Sequence, residues 1–184
     1  MLALKLTVAL GLAVLVAGCV PSLHPLYTEE DLVYDPTLVG TWTEEESEDT
    51  WTFRKVGDKS YDLIYTEEGV PARFDAHLVR IGEFLFLDTY PGEPDIKNGF
   101  YLIHLVPAHT FSRIEMEGDV LRYAMLDLDW LKRMIAEKAT DIGHEEMEGG
   151  ILLTAPPNEL QEFLLKYADD DNAFPDSKEL HHQK

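Results

Sequence analysis

The chain has one cysteine, Cys19, among 184 residues, so it can form no disulfide within itself and build no cysteine-based zinc site. Positive charge is also scarce: 15 Lys and Arg face 35 Asp and Glu, for a formal net charge of −20. Nucleic-acid binding gains its affinity by neutralising phosphates with cations, so no nucleic-acid partner is expected. No glycine-rich phosphate loop and no G-x-S-x-G elbow occurs, which leaves nucleotide chemistry without a cradle and a hydrolase without a visible nucleophile. Ser112 lies near His109 in sequence, with no third partner in sight. A long apolar run is missing too, since the stretch from Leu6 to Val16 falls short of the roughly 20 residues that span a bilayer.

What is present begins with that short run. Lys5, the apolar stretch and the small residues after it have the layout of a secretory leader. Val16, Ala17, Gly18 and Cys19 then resemble the lipobox of bacterial lipoproteins, in which an apolar residue and two small residues precede the modified cysteine. The residue types suit the chemistry, because a thiol is a good nucleophile for taking up a diacylglyceryl group. The resemblance implies cleavage before Cys19, with residues 1–18 removed as a signal peptide and the new amine often acylated as well. Two or three acyl chains, at about 0.8 kcal/mol per buried CH₂, anchor far more firmly than one. Cleavage removes Lys5 and no acid, so the mature chain is one unit more negative than −20. Val20, in place of Asp, favours by the same resemblance the periplasmic face of the outer membrane over the inner membrane. Residues 19–37, with Pro21 and Pro25 opposing a helix, are expected to form a lipidated tether.

From residue 38 onward the pattern is that of a β domain. Strands are predicted near 40–44, 50–55, 60–66, 73–81, 84–89, 99–106, 110–117 and 120–126, with turns at 56–60, 80–84 and 116–120 where glycine makes positive φ cheap. Short links imply antiparallel neighbours. In 61–66 the residues Tyr61, Leu63 and Tyr65 share one face, as in a half-solvated strand. The stretches 84–88 and 101–106 are apolar on both faces and require cover on two sides. Helices supply it: Leu128, Leu131, Ile135 and Ala139 recur at helical spacing behind Asp127 as cap, and Leu160, Phe163, Leu164 and Tyr167 do so behind Pro156 and Pro157. A short strand at 151–154 lies between them. The fold class expected is mainly β: an eight-stranded antiparallel barrel with one or two C-terminal helices packed outside, occupying residues 38–184.

Gly40 and Trp42 within "DPTLVGTW" resemble the G-x-W signature of lipocalins and the GTW that opens avidin-like barrels. The resemblance implies that Trp42 plugs one barrel end and that Gly40 allows close approach of the chain. The chain departs from lipocalins in lacking T-D-Y, of which "LDTY" at 87–90 keeps only part, and Arg122 is the one candidate to cover the tryptophan. The opening "LHPLYTEEDLVYDPTLVGTW" is also similar to that of small bacterial lipoproteins, a likeness that covers the mature chain and implies no activity.

Metal and catalytic patterns are thin. His144 and Glu145 are followed by Glu148 where a metalloprotease helix needs histidine, and "ADDDN" at 168–172 lacks the glycine and distal glutamate of a calcium loop. His77, His104 and His109 could form a three-histidine site only if the strands brought them to one face. Asp127 and Asp129 read as helix capping before they read as a carboxylate dyad. No catalytic residue, metal or other cofactor is assigned. Trp42, Tyr61, Tyr65, Phe74, Phe86 and Tyr101 are candidate ligand-binding aromatics that either line a cavity or fill the barrel. The functional expectation is a membrane-anchored binding module for a small apolar ligand or an envelope protein. The alternatives are a structural or assembly lipoprotein with a filled barrel and, behind it, a hydrolase.

Overall fold

A computed structural model describes residues 19–175 and 177–183. The leader falls outside the described residues. In chain order the elements are β1 (Leu32–Val33), a single 3-10 turn (Pro36–Leu38), β2 (Gly40–Thr43), β3 (Thr50–Val56), β4 (Ser60–Glu67), β5 (Val70–Ile81), β6 (Phe84–Pro91), α1 (Gly99–Leu102), β7 (Thr110–Glu117), β8 (Val120–Met125), α2 (Leu128–Ala136), β9 (His144–Met147), β10 (Gly150–Leu153), α3 (Pro157–Tyr167) and β11 (Lys178–His182).

Strands β2 to β8 pair antiparallel in sequence order, and β5 also pairs with β6 along residues 74–81. The remaining gap between β8 and β2 is filled by β11, with Leu180 opposite Leu121 on one side and His182 opposite Trp42 on the other. The result is a closed eight-stranded antiparallel barrel, with β1 added outside on β5 through Leu32 and Val79. Three short helices lie outside the barrel. A separate two-stranded hairpin, β9 and β10, contains the predicted short strand.

One predicted strand is corrected. Residues 99–106 form the four-residue helix α1 and a loop rather than a barrel strand, and the eighth strand is supplied by the C-terminus. Asn98 caps α1 by accepting from the Tyr101 N–H, which turns the chain away from extended geometry, and Pro107 has no N–H to give a ladder. The two predicted longer helices are present. Asp127 caps α2 by accepting from the Trp130 N–H at 2.6 Å, so this acid serves the helix end.

Alternation along the strands builds two cores. Leu38, Trp42, Phe53, Tyr61, Leu63, Leu78, Leu87, Ile114, Leu121 and Leu180 meet inside the barrel. The opposite faces of β5 to β8 carry Val79, Ile81, Phe86, Phe111 and Ala124, which pack against Leu128 and Leu131 of α2, Leu160 and Leu164 of α3, and Ile151 and Leu153 of β10. This second core explains why 84–88 is apolar on both faces.

The segment expected to be a tether is laid onto the body. Val20, Ser22, Leu26 and Leu32 are buried, Ser22 exchanges backbone hydrogen bonds with His109, and Pro21 and Leu23 do so with Leu153. The apolar positions 20, 26 and 32 complete the outer core, and that burial outweighs the polarity of the residues between them.

Because β11 alone joins the two edges, shortening its one buried apolar side chain should weaken closure. Leu180→Ala is expected to cost about 2–5 kcal/mol in urea unfolding, against about 0.5 kcal/mol or less for the exposed Val70→Ala. Equal losses at the two positions would contradict closure by the C-terminal strand.

Candidate functional site

The barrel has two unlike ends. At the first, Trp42 donates its indole N–H to the Leu38 carbonyl at 2.9 Å and lies fully buried. The ring meets His182 edge-on, with centroids 4.7 Å apart. Gly40 has φ of 140°, and a Cβ on it would run into the His182 imidazole, so glycine is required where the last strand closes over the first. The plug implied by the G-x-W resemblance is thus seen, while its cover is His182. Arg122, the expected cover, faces outward and pairs with Glu179 at 2.7 Å and with Glu117. Next to the plug, the Tyr61 hydroxyl donates to the Asp35 carbonyl and accepts from the Asp35 N–H, and its ring stacks on Tyr34. Burial pushes the Tyr61 phenol up to about 12.

The second end holds an aromatic cluster. Trp51 packs against Tyr65 and Tyr123, with centroids 5.1 and 5.3 Å away, and the Tyr123 hydroxyl donates to Glu44 at 2.9 Å. Burial, reinforced by Glu44, raises the Tyr123 pKa well above its ordinary value, and burial raises Tyr65 to about 12. Both hydroxyls stay protonated, and that of Tyr123 is the donor to Glu44. Between the two ends the lumen is occupied by the leucines and aromatics of the inner core.

The six candidate aromatics are therefore not gathered in one place. Trp42 and Tyr61 fill the lumen, Phe74 packs against it, and Tyr65 belongs to the cluster at the second end. Phe86 points the other way, into the outer core against Phe174. Tyr101 stands exposed on α1. A groove of about 430 Å³ lies outside the barrel, between the chain after α2 and the face of α3, lined by Ile142, Glu159, Glu162, Phe163, Lys166 and Tyr167 among others.

Cys19 sits at the second end. Its thiol is 3.5 Å from the Met125 Sδ at the end of β8, half-buried, and burial pushes its pKa up. A thiol kept protonated in this way is a weak nucleophile. Compared with protein-family models, curated proteins and solved structures, the chain matches none of them.

A buried polar group missed in the sequence fixes the approach to Cys19. Asp88 is 1% exposed, and its carboxylate accepts from the Leu26 N–H at 2.8 Å and from His109 Nδ1 at 2.7 Å. Since a carboxylate only accepts, His109 carries its hydrogen on Nδ1 in this arrangement. Tyr90 packs on the His109 ring at 4.5 Å, and Tyr27 packs on His77, which lies opposite Asp88 across β5 and β6. The signal available was an acid ending the apolar strand "FLFLD": covered on both faces, it must find donors. His104 is elsewhere, exposed and bonded to the Phe100 carbonyl, so the three histidines do not converge. Among the described residues no group of three His, Cys, Asp or Glu side chains is placed to hold a metal ion. Ser112 is buried in β7 on the face opposite Phe111.

Two outcomes follow. Asp88→Ala removes both acceptors, so the Leu26 N–H and His109 lose their partner. It should cost about 1–3 kcal/mol and speed amide exchange across residues 20–31, and unchanged protection there would show that Asp88 does not hold the segment. Burial also holds the His77 imidazole below its ordinary value of 6.5, against the opposing pull of Asp88 and Asp75. The native state thus favours the neutral ring, and stability is lost as pH falls from 6.5 through the lower native value. His77→Gln should show a smaller fall in Tm over that window than the parent; identical falls would refute a depressed His77.

Proposed function

We propose that this chain is a lipoprotein of the bacterial cell envelope, anchored through acylated Cys19 at the periplasmic face of the outer membrane. On this reading its barrel is a structural or docking module for another envelope protein rather than a carrier of a small apolar ligand. The observation that carries the choice is the filled lumen, packed from the Trp42 plug to the Trp51, Tyr65 and Tyr123 cluster. A carrier needs a concave apolar space that encloses most of its ligand, and here a ligand could enter only by displacing buried leucines and aromatics.

The anchoring half of the reading is supported by the lipobox-like stretch ending at Cys19 and by the place of that cysteine. It is half-buried at one barrel end rather than enclosed in either core. Among the described residues no helix is long and apolar enough to cross a membrane. Residues 20–33 pack on the barrel, so the acyl chains would leave the body almost at its surface.

Native mass spectrometry of the protein extracted from membranes tests both halves. The expected species starts at Cys19, carries covalent diacylglyceryl mass on that residue and releases no further molecule on activation. A dissociable apolar molecule would overturn the filled-barrel reading, and an intact leader with an unmodified thiol would overturn the anchor. Cys19→Ala is expected to abolish incorporation of labelled fatty acid.

A further inference from the structure

Residues 98–108 form an unusual island in this acidic chain: between Lys97 and His109 they contain no Asp, Glu, Lys or Arg. They also carry a concentration of exposed apolar side chains. Phe100 is 75% exposed, Ile103 73%, Val106 69% and Tyr101 56%, with Leu105 also exposed, and no residue of α1 is buried. None of the described residues covers them. A contiguous group of large apolar side chains left in water by a monomer marks a surface that meets something else.

The position of the island identifies what. It lies in the connection from Pro91 at the end of β6 to Thr110 at the start of β7. In an antiparallel barrel the end of β6, the start of β7 and the end of β8 fall at one rim, and the Ser112 to Met125 pairing shows this register directly. Cys19 lies at that rim against Met125, and Ser22, three residues on, is hydrogen-bonded to His109 at the foot of the same loop. The acidic connection at 44–49 shares this barrel end but belongs to β2 and β3, on the far side of the closed strand order from β6 and β7. The rim therefore has an apolar stretch next to Cys19, preceded in the same connection by Glu93, Asp95 and Lys97, and a strongly acidic connection away from it.

We propose that the loop carrying Phe100, Tyr101, Ile103, Leu105 and Val106 inserts into the lipid surface beside the acyl chains of Cys19. It acts as a second, protein-borne contact that fixes how the barrel stands on the membrane. This rests on the lipid-anchor reading above and adds an orientation to it. The barrel tilts so that the β6 to β7 side of the rim dips into the interface, while the acidic 44–49 side stays in water. One acyl anchor permits rotation about its attachment; a second apolar contact on the same rim removes that freedom. A short helix presenting aromatic and branched side chains, flanked by a polar turn, suits the boundary between headgroups and chains.

The full processed chain, reconstituted in phosphatidylethanolamine and phosphatidylglycerol vesicles, tests the proposal. Acylation occupies the native thiol, so Ile103→Cys supplies a single site for an environment-sensitive fluorophore. Val56→Cys at the opposite barrel end serves as the control, and both side chains are exposed, so the fold is preserved. The expected result is blue-shifted emission from position 103, quenched by spin-labelled lipids, with aqueous, unquenched emission from 56. Phe100→Ser with Val106→Ser should reduce the quenching at 103 while the chain still sediments with vesicles. Three outcomes overturn the proposal. Aqueous emission at 103 from a chain whose mass confirms acylation removes the loop and spares the anchor. Shielding at 103 that requires other envelope proteins assigns the surface to a protein partner. An unacylated Cys19, seen by mass, removes both readings together.

Discussion

Closure of the barrel by its last strand is the constraint on which the rest of the molecule depends. Seven strands in sequence order leave β2 and β8 as free edges, and an open edge carries a row of unpaired amides and carbonyls. Only β11 satisfies both. To reach that gap the chain must travel from the end of β8 around the outside of the barrel and return, and α2, the β9 to β10 hairpin and α3 are laid down on that route. Return to the starting point also brings His182 against Trp42 and forces glycine at position 40. The plug at one end and the layer on the outer wall are thus consequences of a single pairing requirement.

That outer layer makes the wall formed by β5 to β8 apolar on both faces, and it draws the N-terminal segment into the fold. Val20, Leu26 and Leu32 are needed to finish a core that α2 and α3 leave incomplete. Pulling this segment down onto β6 buries the Leu26 amide, which must be satisfied, and the carboxylate of Asp88 meets it with one oxygen while holding His109 with the other. A carboxylate with two donors is an economical way to bury charge, and losing either donor exposes the full cost of desolvation. The same cluster orders the foot of the loop that carries the exposed apolar residues, because His109 is also the backbone partner of Ser22. Core completion, polar satisfaction and placement of Cys19 are therefore coupled.

Sequence patterning revealed the barrel, its seven consecutive strands and the two longer helices, because alternation and caps are local signals. It failed at residues 99–106 and 178–182, and the failures mirror each other. "YLIHLV" has the apolar density of a buried strand, yet Asn98 and Pro107 deny it a ladder, so a strand-like sequence stands in solvent. "KELHH" has one apolar residue and reads as a polar tail, yet a barrel strand of five residues needs few inward positions, and Leu180 and His182 provide them. Pairing available at distant edges decided both cases, and no window of local sequence contains that information. At the site, the plug was legible through Gly40 and Trp42, while Asp88 was hidden because its partners come from residues 26 and 109.

The difference between a tether and a docked segment changes what an anchor at Cys19 would do. Residues 19–37 fully extended would span about 60 Å, letting the barrel roam far from the bilayer and present any face to it. Docked as they are, with Val20 already buried and Ser22 paired to His109, they leave no slack between Cys19 and the rim formed by β6, β7 and β8. An acylated Cys19 would then hold that rim at the headgroups, and the neighbouring loop would meet lipid without further ordering cost. Such an arrangement turns a point attachment into a fixed orientation and directs the opposite end, closed by Trp42 and His182, away from the membrane, where a partner in the surrounding space would meet it.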